Sequence, residues 1–120
     1  MKYLDLCPRL KSNGEAFFCE VSLSEYCSEF KNLRLLFFEL IHQFAVKIHR
    51  EFTRIEPEAF VLPIRVIKMN ILGTNYDQGL YLKGEIKNFG KQSLINIKFS
   101  NKCELTTGYS IVKVAEVGRR

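Results

Sequence analysis

The stretch LRLLFFELIHQFAVKI, residues 33–48, decides the fold of this 120-residue chain. Its apolar side chains cover every face of a helix, so no side is left that prefers water. The stretch predicts one helix over residues 32–52, and roughly 20 residues make a rod about 30 Å long. We expect this rod to be buried almost all round, which requires a layer of sheet curled about it.

The rest of the chain predicts that sheet. Segments rich in β-branched and alternating apolar residues are separated by turn residues, as in antiparallel strands joined by tight turns. The predicted strands span residues 16–22, 60–72, 80–87, 93–99 and 104–114. We therefore expect an α+β fold in a single domain, residues 1–120, with a long central helix wrapped by a curved antiparallel sheet of about five strands.

Composition narrows the classes of function. The chain is 47% hydrophobic, enough for one core, and its net charge of +5 favours partners that carry phosphate. The basic residues are scattered, so we expect no nucleic-acid partner. Arg34, Glu39, His42 and Lys47 interrupt the apolar stretch, and we expect no membrane span.

The four cysteines, Cys7, Cys19, Cys27 and Cys103, lack the C-x-x-C spacing of a zinc site. No Gly-rich phosphate loop stands out either, so we expect neither a metal nor a cofactor. The first residues lack the long apolar segment of a secretory signal. These features predict a cytoplasmic protein with reduced thiols.

Three segments together resemble a known family. Residues 76–80 are similar to its Tyr-(Gly/Asp)-Asp-x-Leu turn, residues 90–94 to its basic-x-Ser segment, and residues 112–119 to its closing Val-x-Val-Asp-x-x-Gly-Arg. From about residue 17 onward, the chain resembles the hot-dog-fold acyl-CoA thioesterases of the 4-hydroxybenzoyl-CoA thioesterase type. The resemblance implies hydrolysis of an acyl-CoA or acyl-ACP thioester by a homodimer or homotetramer, with the acyl pocket between subunits.

The chain departs from that family where the catalytic aspartate belongs. When residues 35–39 are aligned with the family's Leu-x-x-Phe-Glu, Ser22 and Ser24 occupy the two aspartate positions and Cys27 the glycine position. Glu25 lies next to the second of these positions and could substitute for the aspartate if the loop shifts by one residue, and Glu29 if it shifts further. The helix carboxylate, Glu39, is retained.

The resemblance implies that thioester hydrolysis in this architecture uses a carboxylate that attacks the carbonyl or activates water. Backbone amides at the helix start would stabilise the oxyanion. The candidate catalytic residues are Glu25, Ser24 and Glu39. Each has a simpler interpretation: Glu25 as a solvated loop residue, Ser24 as a cap or loop-packing residue, and Glu39 as a structural hydrogen-bonding group. Cys27 lacks an evident base, because His42 and His49 lie well inside the helix.

The turn at Lys91, Gln92 and Ser93 resembles the one with which the family grips the nucleotide end of coenzyme A. A lysine beside a hydroxyl suits phosphate, and Tyr76 is the further candidate for substrate binding. An ordinary polar hairpin turn remains the alternative for these residues.

The function predicted is thioester hydrolysis, with helix amides as the oxyanion hole. The alternative is a non-catalytic acyl-binding or CoA-binding hot-dog protein, because serines replace the expected aspartates. A hot-dog dehydratase needs a histidine near the helix entrance, and no histidine precedes His42.

Overall fold

The computed structural model describes residues 6–7, 9–21, 33–56, 59–71, 80–100 and 106–119. These residues form one helix and six strands. The elements are β1 (Lys11–Ser12), β2 (Phe17–Val21), α1 (Leu33–Thr53), β3 (Ala59–Ile71), β4 (Leu80–Phe89), β5 (Gln92–Ser100) and β6 (Thr106–Arg119). The strands join one antiparallel sheet in the order β1-β2-β4-β5-β6-β3.

The helix packs on one face of this sheet because alternate strand residues point toward it. On β5 the residues buried against the helix are Ile95, Ile97 and Phe99, and the residues between them face outward. Phe99 meets Phe37 of α1 edge to face, with ring centroids 5.6 Å apart. The helix contributes Leu36, Phe37, Leu40, Ile41, Phe44, Ala45 and Ile48 to the same core.

The predicted elements agree closely with those observed. The helix predicted over residues 32–52 is Leu33–Thr53. The sheet has six strands instead of about five, because β1 is only two residues long and too short to show alternation. The last strand runs on to Arg119. Its alternation breaks where Val114 and Ala115 are both buried, so the sequence predicted an end at residue 114.

The prediction that α1 is buried almost all round is wrong for one side of the helix. Leu35 is 58% exposed, Phe38 37% and Phe52 52%. A single layer of sheet reaches only one side of a helix. Leu6 and Cys7 cover part of the remainder, with Leu6 N donating to Gln43 Oε1 at 2.7 Å and Lys47 Nζ donating to Cys7 O.

The side chains of Cys7 and Cys19 are both buried. In the described part of the chain, no helix combines the length and hydropathy that crossing a membrane requires.

Gly84 of β4 provides a test of this packing. A Cβ atom there would overlap Ile48 Cδ1 and lie 3.0 Å from Phe44 Cε2. We expect Gly84→Ala to lower the free energy of unfolding by about 1–3 kcal/mol, because the buried Ile48 side chain must shift within a packed core. Ile48→Val, which alone costs about 0.5–1.5 kcal/mol, removes the overlapping methyl group. In urea unfolding, the double variant should therefore lose less stability than the sum of the losses in the two single variants. If the two losses simply add, the close approach of Gly84 to Ile48 is contradicted.

Candidate functional site

Four side chains form a stripe on the side of α1 that the sheet leaves open. Leu35, Phe38, Glu39 and His42 follow the spacing of one helical face. Leu35 and Phe38 are exposed, whereas Glu39 and His42 are half-buried. The rings of Phe38 and His42 lie 6.1 Å apart. We call this set the exposed stripe: it places one carboxylate and one imidazole on an apolar surface.

Glu39 is held in place by its neighbours. Its Oε1 accepts a hydrogen bond from Gln43 Nε2 at 3.0 Å, and the Gln43 carbonyl oxygen accepts from Leu6 N at 2.7 Å. Among the described residues, no second hydrogen bond to Glu39 is found. The bond from Gln43 orients the carboxylate, and an oriented carboxylate is what a general base needs.

His42 shares the stripe with Glu39. Partial burial lowers the pKa of His42 from its ordinary value, and the negative charge of Glu39 opposes part of that shift. The shift favours the neutral form of the imidazole.

The second candidate region is the β4–β5 turn. Phe89 pairs with Gln92 across a two-residue hairpin, and Gly90 occupies its first position with a φ of 80°, a conformation that glycine adopts readily. Lys91 and Gln92 are exposed there. Asn88 Oδ1 accepts from Gly90 N at 3.1 Å and Glu116 N donates to Lys91 O at 2.9 Å, so the turn is well fixed.

A groove of about 520 Å³ lies beside this turn. The described residues of its lining combine apolar side chains with two cations, and none of them is acidic. The residues are Ile64, Arg65, Ile67, Phe89, Gln92, Ser93, Leu94 and Lys113. With Lys91 on the adjacent turn, the groove suits a ligand that carries both negative charge and apolar surface.

Ser93 belongs to a buried polar cluster that the sequence did not reveal. Its hydroxyl, with a residue exposure of 0%, lies 2.7 Å from His49 Nδ1 and accepts from Asn88 Nδ2 at 2.8 Å. His49 Nε2 lies 3.0 Å from Glu116 Oε2. The four residues come from α1, β4, β5 and β6, so no local spacing joins them. The one signal was that Ser93 alternates with the inward Ile95 and Ile97.

The remaining predicted residues cannot be placed. Ser24, Glu25, Cys27 and Tyr76 lie outside the described residues, as do the amides of residues 30–32. Within the described ranges, no three or more His, Cys, Asp or Glu side chains are grouped so that they could hold a metal ion.

No protein-family model matches the chain, and no curated protein sequence matches it. Solved structures, in contrast, match the fold of the chain. A proposed thioesterase of Lactococcus lactis superposes with a TM-score of 0.75 at 14% identity, covering 93% of this chain and 91% of that one. The fold is the hot-dog fold. A thioesterase of Haemophilus influenzae has a TM-score of 0.65 at 10% identity, covering 90% and 76%. The predicted hot-dog fold class is thereby confirmed, and identities this low show the fold alone.

The exposed stripe yields a prediction for His42. Its imidazole should titrate below pH 6.5, because burial outweighs the attraction of Glu39. Since that carboxylate raises the pKa of His42, Glu39→Gln should lower the pKa further. Proton NMR of the imidazole across pH 4–8 measures both values. Because the unfolded chain binds this proton more readily, the contribution of His42 to stability is present above pH 6.5 and lost as the pH falls below it. A pKa for His42 that rises in Glu39→Gln would contradict this assignment.

Proposed function

We propose that this protein hydrolyses an acyl-CoA or acyl-ACP thioester, as a hot-dog thioesterase of the 4-hydroxybenzoyl-CoA type. The supporting observation is a carboxylate, Glu39, oriented by Gln43 on an apolar stripe of the central helix. The fold is shared with two structures described as a thioesterase or a proposed one. An acyl chain could lie on this stripe beside the carboxylate.

Glu39 acts as the general base in this proposal. The ionised carboxylate takes a proton from a water molecule, whose oxygen attacks the thioester carbonyl carbon. The tetrahedral intermediate collapses with cleavage of the carbon–sulfur bond. Glu39 then returns the proton to the departing sulfur, which leaves as the thiol, and the acyl group leaves as the acid. Amides at a helix start carry the oxyanion charge in the intermediate.

A second copy of the chain is needed to bring these groups together. Glu39 lies six residues after the first residue of α1, Leu33, which is about 9 Å along the helix axis. That separation is too great for one carbonyl group to contact both the carboxylate and the amides of the same helix. We propose that the helix start of a partner faces Glu39. Glu25 and Ser24 precede the helix and are the candidates that would act beside its own start.

The β3 edge of the sheet is the proposed contact between copies. Its 13 residues pair with β6 on one side only within the described chain. Phe60, Leu62, Ile64 and Ile67 are 44–52% exposed along it. Long apolar edge strands are usually covered in native proteins. We propose a homodimer joined at β3, or a homotetramer of two such dimers.

The β4–β5 turn is the proposed site for the phosphates of coenzyme A. Lys91 and Gln92 are exposed on the turn, and Arg65 and Lys113 line the neighbouring groove. Tyr76 is retained as a proposed substrate contact. We also propose a cytoplasmic location, in keeping with the reduced thiols that the sequence predicts.

A non-catalytic acyl-binding or CoA-binding protein is the second candidate. It is favoured by the serines, Ser22 and Ser24, at the positions where the resemblance expects aspartates. Native mass spectrometry that shows bound lipid or coenzyme A without hydrolysis would support it.

Activity is tested with a panel of acyl-CoA, aryl-CoA and acyl-ACP thioesters, following release of free thiol. We expect Glu39→Gln to lower kcat by about 10²–10⁴-fold, the usual contribution of a general base. Glu51→Gln, an exposed glutamate near the other end of α1, is the matched control and should keep full activity. Loss of activity in Glu25→Gln instead of Glu39→Gln would move the base to Glu25. No turnover with any thioester would overturn the proposed activity.

The proposed dimer is tested at the β3 edge. Leu62→Lys should shift the protein toward the monomer in sedimentation velocity, because a charge would be buried at the strand contact. Tyr81→Lys places the same charge on an exposed aromatic residue of β4, which β5 and β6 separate from β3, and should leave the sedimentation unchanged. A monomeric unmodified protein would refute the edge pairing.

A further inference from the structure

We propose that His49 is a positioning residue for the β4–β5 turn. With Asn88, Ser93 and Glu116 it forms what we call the turn network, which holds Lys91 in place for an anionic ligand. This inference rests on the proposed binding of coenzyme A at the turn.

The turn network joins donors to acceptors along its length. A carboxylate only accepts, so His49 Nε2 carries a hydrogen and donates to Glu116 Oε2 at 3.0 Å. His49 Nδ1 and the Ser93 hydroxyl lie 2.7 Å apart and share a hydrogen bond. The Ser93 oxygen in turn accepts from Asn88 Nδ2 at 2.8 Å. Each side chain thus has a partner of the right kind.

Both ends of the network finish on the turn. At one end, Asn88 accepts from Gly90 N at 3.1 Å and donates to Gly90 O at 3.0 Å. At the other end, the backbone N–H of Glu116 donates to Lys91 O at 2.9 Å. His49, near the end of α1, therefore connects Asn88, through Ser93, with Glu116, and these two residues hydrogen-bond to the adjacent turn residues Gly90 and Lys91. If the hydrogen bonds of His49 are lost, the network no longer ties the turn to the helix.

The hydrogen bonds among Ser93, His49 and Glu116 resemble those that activate a nucleophilic serine, but burial excludes that role. Ser93 and His49 each have 0% exposure, so no substrate carbonyl reaches the hydroxyl. Apolar side chains of similar size would fill the same space without the need to satisfy buried polar groups. What the polar network adds is a fixed geometry, and the fixed element carries the exposed Lys91.

The experiment compares Glu116→Ala with Glu116→Gln. Alanine removes the acceptor of His49 Nε2, whereas the glutamine amide oxygen still accepts from it. Glu85→Ala, which truncates an exposed glutamate of β4, is the control for loss of charge. The probes are coenzyme A binding by calorimetry, KM and kcat for a CoA thioester, and hydrogen exchange of the Gly90, Lys91 and Gln92 amides.

We expect Glu116→Ala to weaken coenzyme A binding about tenfold, equivalent to about 1.4 kcal/mol, and to speed exchange at the turn amides. The activity loss should lie in KM more than in kcat. Glu116→Gln should restore most of the affinity, and Glu85→Ala should match the unmodified protein.

The network proposal is overturned if Glu116→Ala keeps the affinity and the exchange rates, or if its loss lies in kcat alone. If the unmodified protein binds no coenzyme A, the proposed role of the turn in CoA binding fails. Exchange at Gly90, Lys91 and Gln92 then decides separately whether the network holds the turn.

Discussion

The whole structure depends on the packing of one helix against one layer of sheet. Alternation on the strands supplies an apolar face, and α1 fills it with side chains such as Phe37, Phe44 and Ile48. Gly84 brings β4 close to the last two of these residues. Because a single layer covers one side of a rod, the helix keeps an open side. The candidate carboxylate lies on that open side, so the geometry that builds the core also defines where chemistry can occur.

Polar groups divide the molecule into two differently organised ends. Near the first half of α1, Glu39 and His42 are half-buried and remain accessible. Near the other end, His49 and Ser93 are fully buried and bonded to each other. Both histidines belong to the same helix, yet only His42 faces the open side. The first end suits reaction with a substrate, and the second suits support of a binding turn.

The sequence predicted the parts of this structure that depend on local patterns. The apolar run at residues 33–48 and the alternation on β5 identified the helix and a strand within about a residue. Leu35 and Phe38 were misjudged, because hydrophobicity does not reveal whether a covering surface belongs to the same chain. The turn network escaped detection because His49 and Glu116 are 67 residues apart in sequence. The pairing of β5 with β6, in which Gln92 lies opposite Ala115, brings Glu116 close to Ser93, the hydrogen-bond partner of His49.

The two edges of the sheet are unequal, and this limits how copies can assemble. β1 offers two residues for pairing, whereas β3 offers 13 and carries three register shifts that bend it. If β3 of one copy pairs with β3 of another, each remaining free edge in the described chain is short: the two residues of β1 and residues 19–21 of β2, which β1 does not pair. A growing fibril needs a long edge at both ends of every unit. Pairing through β3 therefore uses up the long edge of the sheet, and strand pairing closes after two chains instead of propagating as a filament.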